Sequence, residues 1–145
     1  MILNWFPGDA SKAQPKELFE WRAGALPAKY RAMIDELRMF ADNEAAFDIE
    51  WPSHADRRFV VWEPKRGVQC FIVTAEGAIS VPFSKWPDLP PPLVDAVITR
   101  LNAALATDWF TGRQRKKKGF DLYYLLRSGP GVQGFLDVWR WFAQR

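Results

Sequence analysis

Arg113, Arg115, Lys116, Lys117 and Lys118 place five cations in six consecutive positions, with Trp109 and Phe110 just before them and Phe120, Tyr123 and Tyr124 just after. Like charges packed this densely repel one another, so the run is expected either as a solvated loop or as a site that meets a polyanion. Clustered Lys and Arg neutralise phosphates and release their counterions, which is the sequence-independent part of nucleic-acid affinity. Rings beside such a run add base stacking, worth about 1 to 3 kcal/mol per base in single-strand binders. The candidate binding set is therefore Arg113, Arg115, Lys116, Lys117 and Lys118 together with Trp109 and Tyr123.

A second constellation is acidic: Asp48, Glu50 and Asp56, followed by Glu63-Pro64-Lys65. Nucleases of the restriction-endonuclease type set an Asp on one strand and Glu-x-Lys on its neighbour, so that carboxylates hold Mg2+ and the lysine assists the attacking water. The strand order permits that geometry. Against it, Pro64 stands between the two key residues, and a hairpin follows where the motif wants a helix. Carboxylates that alternate with apolar residues on an edge strand are usually the solvated face. Cys70 is the only cysteine, which excludes an intramolecular disulfide and a cysteine-built zinc site. It lies in the apolar run Val68-Gln69-Cys70-Phe71-Ile72-Val73 and reads as a small buried hydrophobe. The one histidine, His54, falls in a predicted loop, and no serine has a histidine-containing motif around it. No metal, no cofactor and no catalysis of its own are expected.

The elements that must position these residues follow from the period of the apolar side chains. Ser11 to Trp21 is predicted as a short helix with Pro15 in its first turn. Pro27 opens a second, with Tyr30, Ile34, Leu37 and Phe40 or Ala41 on one face. The period then shortens to two: Phe47, Ile49 and Trp51 alternate with Asp48 and Glu50, and Arg58–Glu63, Val68–Thr74 and Ala78–Phe83 follow, separated by turns at Pro64-Lys65-Arg66-Gly67 and Glu76-Gly77. Three prolines, Pro90 to Pro92, act as a stiff connector into a helix striped by Leu93, Val94, Val97, Ile98, Leu101 and Leu105. After the cation run come a short apolar element, Phe120 to Leu126, a turn at Ser128-Gly129-Pro130-Gly131, and a last helix with Val132, Phe135, Leu136, Trp139 and Phe142 on one side. The predicted class is α+β: a four-stranded antiparallel meander flanked by N-terminal and C-terminal helices, in two layers. A nucleotide-binding fold of alternating strands and helices is disfavoured by this order.

A length of 145 residues fits one domain, residues 1–145. Eight Trp, eleven Phe and three Tyr either fill a small core with large rings or leave some rings exposed as an interface. The formal charge of +3 is unevenly spread: residues 1–99 carry 11 Lys or Arg against 14 Asp or Glu, and residues 100–145 carry 9 against 3, which gives −3 and +6. Such polarity suits oriented docking on an anionic partner. Met1 to Pro7 lacks the basic start and long apolar stretch of a signal peptide, and no window approaches the ~20 apolar residues of a membrane span. A cytoplasmic setting without membrane contact is expected.

The second half, from Gly77-Ala78-Ile79-Ser80-Val81 and Pro91-Pro92 through Arg100-Leu101-Asn102 and the cation run to Phe135-Leu136 and Trp139, resembles the uncharacterised C-terminal modules of some prokaryotic proteins linked to restriction-type or other DNA-processing nucleases. The resemblance covers about half of the chain and implies association with nucleic acid. Any catalytic residues of that family lie outside this segment, so none is carried over. Together these readings predict an α+β domain that binds nucleic acid or another polyanion. The alternatives are a module that binds a protein partner through exposed aromatics, and a metal-dependent nuclease.

Overall fold

The computed structural model describes residues 14–52, 57–110, 118–122 and 131–145. Helix α1 (Pro15–Ala23) and helix α2 (Ala28–Asn43) precede strands β1 (Asp48–Glu50), β2 (Arg58–Glu63), β3 (Val68–Thr74) and β4 (Ala78–Val81). Helix α3 (Pro91–Leu105), strand β5 (Lys118–Asp121) and helix α4 (Gly131–Ala143) follow. Proline sets three of the helix starts: Pro15 and Pro91-Pro92 stand in first turns and Pro27 directly precedes α2. A first-turn residue has no intrahelical use for its N–H, so nothing is lost when proline lacks one. The predicted first helix is thus present from Pro15; residues 11–13 lie outside the described residues.

The sheet is antiparallel with the order β1-β2-β3-β4-β5. The expected meander supplies its first four strands, and the end of the cation run adds a fifth, with Lys118 opposite Val81 and Asp121 opposite Ala78. The apolar pattern puts the element after the run at Phe120 to Leu126; its strand begins two residues earlier, and residues 123–126 lie outside the described residues. β4 stops at Val81 and not at Phe83, because Pro82 cannot donate to a ladder and the chain turns through a short 3-10 segment, Phe83–Lys85.

Phe59, Val61, Phe71, Val73, Ile79 and Val81 form the inward face of the sheet and join a buried cluster with residues of the four described helices. Phe71 lies 5.2 Å from Phe135 and 6.3 Å from Trp139, ring centre to ring centre, and Phe59 lies 5.3 Å from Phe19 of α1. The expectation that Phe135 and Trp139 pack on the sheet therefore holds, and Trp139 is fully buried.

One irregularity interrupts the alternation of β3. Val61 pairs with Phe71, but the next residue, Trp62, pairs with Gln69, which leaves Cys70 as an extra residue in β3. A bulge of this kind switches the alternation. Beyond it Trp62 and Gln69 share a register position, and Glu63 and Val68 share the next. β2 itself keeps its alternation, so Glu63 follows Phe59 and Val61 onto the inward side, where it is 1% exposed and the only buried charged residue among those described.

Candidate nucleic-acid interface

The cation run is attached to the fold at two well-defined stems. On the entry side, α3 ends with Ala106 in the left-handed region at φ 51°, and the Thr107 N–H returns to the Asn102 carbonyl at 2.9 Å. The Asn102 side chain then clamps Phe110 from both ends of its amide: the Phe110 N–H donates to Asn102 Oδ1 at 3.0 Å, and Asn102 Nδ2 donates to the Phe110 carbonyl at 2.6 Å. Phe110 is buried, 6.0 Å from Phe83. Asparagine suits this position because its amide carries both a donor and an acceptor and can mimic a paired backbone.

On the exit side, β5 pairs with β4 from Lys118 onward, the buried Leu122 donates its N–H to the Gly77 carbonyl at 2.9 Å, and the Tyr30 hydroxyl donates to Asp121 Oδ1 at 2.6 Å. Gly77 has φ +90°, and a Cβ there would come within 2.8 Å of the Tyr30 ring, so the turn before β4 needs a residue without a side chain. Both stems meet near the end of β4: Lys118 opposite Val81, and Phe110 against Phe83 two residues further on.

Of the predicted binding residues, Trp109 is half-buried on the entry stem and Lys118 opens β5. Arg113, Arg115, Lys116, Lys117 and Tyr123 lie outside the described residues. Asn102 is an anchor that sequence reasoning misses; its only signal is a polar residue within an apolar helix stripe, eight positions before Phe110.

The acidic constellation is dispersed. Asp48 and Glu50 are exposed on the edge strand β1, and Glu50 accepts a hydrogen bond from Trp62 Nε1 at 2.9 Å. Glu63 faces the core and is held by Arg66, whose main-chain N–H and Nη1 each approach its carboxylate at 2.7 Å. Arg66 continues to the C-terminal end of α4: Nη1 donates to the Phe142 carbonyl at 3.3 Å, Nη2 to the Arg145 oxygen, and its guanidinium lies 4.9 Å over the Phe142 ring. This arginine satisfies a helix C-terminus and a buried carboxylate at once. Lys65 is exposed, Asp56 lies outside the described residues, and among the described residues no three Asp, Glu, His or Cys side chains gather. Cys70 is buried at the bulge, and burial, followed by the neighbouring Glu63 carboxylate, pushes its thiol well above its ordinary range, which suppresses the nucleophilic thiolate.

None of the described tryptophans is fully exposed. Trp139 is fully buried, Trp86 donates its indole N–H to the Gln69 carbonyl at 2.8 Å, and Trp21, Trp51, Trp62, Trp109 and Trp141 are half-buried. Met39 is the one large hydrophobic side chain exposed among the described residues, and a single such residue does not make a docking patch. Among the described residues no helix is long and apolar enough to cross a membrane. Comparison with protein-family models, curated proteins and solved structures gives no match.

Proposed function

We propose that this chain is a non-catalytic nucleic-acid-binding or accessory domain whose cation run, Arg113 to Lys118, contacts phosphates. The observation that carries the reading is the pair of stems: the segment of highest positive charge starts from a buried, doubly hydrogen-bonded Phe110 and ends in a paired strand. Anchored ends restrict where five cations can go, so less chain entropy opposes contact with a polymer than in a free tail. The +6 balance of residues 100–145 favours the same partner. The resemblance of the second half to modules linked to DNA-processing nucleases favours association with nucleic acid, and the lone buried cysteine suits a reducing, cytoplasmic setting.

A catalytic reading through Glu63 and Lys65 is disfavoured, because the carboxylate is committed to Arg66 within the core. The test is equilibrium binding of the purified protein to DNA, RNA and heparin over a range of salt, with Mg2+ or Mn2+ added in parallel. Affinity that falls steeply with salt, without cleavage, is the expected result. Absence of binding to all three at low salt rejects the proposal. Metal-dependent cutting lost on Lys65→Ala in a folded protein would establish the nuclease instead.

A further inference from the structure

The second half carries another concentration of positive charge outside the cation run. Arg100, on α3, and Arg145, just beyond α4, lay their guanidiniums on one indole: their Cζ atoms lie 4.0 Å and 4.8 Å from the ring centre of Trp141. Both arginines are exposed, and Trp141 is half-buried on α4. Neither makes an ion pair among the described residues, in contrast to Arg38 with Glu20 at 3.0 Å, Arg66 with Glu63 at 2.7 Å and Arg140 with Glu44 at 2.7 Å. Asp137 lines the same shallow hollow as Arg100, but its carboxylate is taken by Arg140 at 2.6 Å.

A guanidinium held over a ring face keeps N–H donors for a ligand, and its planar fork matches two oxygens of a phosphate. Two cations against one ring repel each other, and the ring offsets only about 0.5 to 1 kcal/mol per exposed cation. An anion close to both guanidiniums lowers that repulsion. The ring also holds the forks in place, so less side-chain freedom is lost when an anion binds.

We propose that Arg100, Trp141 and Arg145 form a phosphate-binding site on the α3–α4 face that takes a backbone phosphate of the same nucleic acid as a second contact. The inference rests on the polyanion reading but not on the cation run. Arg100 and Asn102 are two residues apart on α3, hence about 160° apart around its axis at 3.6 residues per turn. The site and the entry stem of the run therefore occupy different sides of the helix.

The experiment is fluorescence anisotropy of a labelled single-stranded oligonucleotide over a salt series, with R100Q/R145Q, R100K/R145K, R38Q and a variant with all five run cations changed to alanine, each checked for folding by circular dichroism. R100Q/R145Q is expected to bind more weakly and to flatten the slope of log K against log salt by about 1.4, from about 0.7 for each single-strand phosphate that is no longer neutralised. R100K/R145K keeps both charges and is expected to retain the slope, and R38Q, which removes a paired cation, is expected to match the parent protein. An unchanged slope in R100Q/R145Q, or an equal change in R38Q or in R100K/R145K, overturns the site. If R100Q/R145Q behaves as the parent while the five-alanine variant loses binding, the site fails and the reading of the run survives. If the converse is seen, the site stands and the run is only a solvated loop. A parent protein that binds no oligonucleotide overturns both.

Discussion

The two sides of α4 use the same residue types for opposite ends. On its inner side Trp139 is enclosed by Phe71, Phe135, Phe142 and Trp86, and next to that side Arg66 spends its donors on Glu63 and on the carbonyls that end the helix. On its outer side Trp141 is half-buried and carries Arg100 and Arg145, two guanidiniums without a carboxylate among the described residues. An arginine or a tryptophan in a sequence is thus a capacity, and its partners decide whether that capacity holds the fold together or stays available to a ligand. The division also runs between the halves of the chain: Arg22 and Arg38 of the first half face Glu76 and Glu20 across the surface, while the cations that follow residue 110 outnumber the carboxylates.

If that division is right, substitutions on the inner side cost stability and those on the outer side cost binding. The largest loss is expected for Trp139→Ala, about 3 to 5 kcal/mol or failure to fold, from the cavity left in the aromatic cluster. Trp139→Phe should lose much less, because the buried Trp139 indole N–H has no hydrogen-bond acceptor among the described residues and phenylalanine gives up no bond there. Urea unfolding of the two variants checks both, and a loss for Trp139→Phe as large as that for Trp139→Ala would contradict them. Arg66→Ala is expected to cost about 3 kcal/mol by stranding a buried carboxylate, whereas its exposed neighbour Lys65→Ala should stay within about 0.5 kcal/mol. Gly77→Ala should cost about 1 to 3 kcal/mol, from its φ of +90° and the approach to Tyr30. Arg100→Gln comes last, with less than about 1 kcal/mol in unfolding. A loss at Arg100 as large as that at Arg66 would erase the contrast. Alkylation offers an independent reading of the inner side: the Cys70 thiol should react slowly at neutral pH in the native protein and readily in urea, since burial raises its pKa.

Much of this architecture is legible from periodicity. The stripe Ile34, Leu37, Phe40 and Ala41 is buried on α2, the stripe of α4 is buried throughout, and the glycines Gly67 and Gly77 stand at positive φ in the two turns that the sequence marks. What the pattern hides is pairing between distant segments. The bulge at Cys70 depends on which residue of β2 opposes it, and Glu63, inward by alternation with Phe59 and Val61, is held there by an arginine that also reaches the end of α4. β5 is short and contains Lys118 and Gly119, weak strand formers that pair because β4 offers an open edge. Asn102 with Phe110, and Arg100 with Trp141 and Arg145, meet only once the chain has folded back. The candidate site is legible as a concentration of charge between aromatics, and its anchoring is not.

The most direct test of the central claim is the salt dependence of nucleic-acid binding measured in parallel for the parent protein and for the variant in which Arg113, Arg115, Lys116, Lys117 and Lys118 are all alanine. With both proteins shown to be folded, the parent slope of log K against log salt should be steep and the variant's clearly flatter, with weaker affinity at every salt concentration, since each phosphate left without its cation takes about 0.7 to 0.9 from the slope. An affinity and slope unchanged in the folded variant would contradict the account and leave the run as a solvated surface loop.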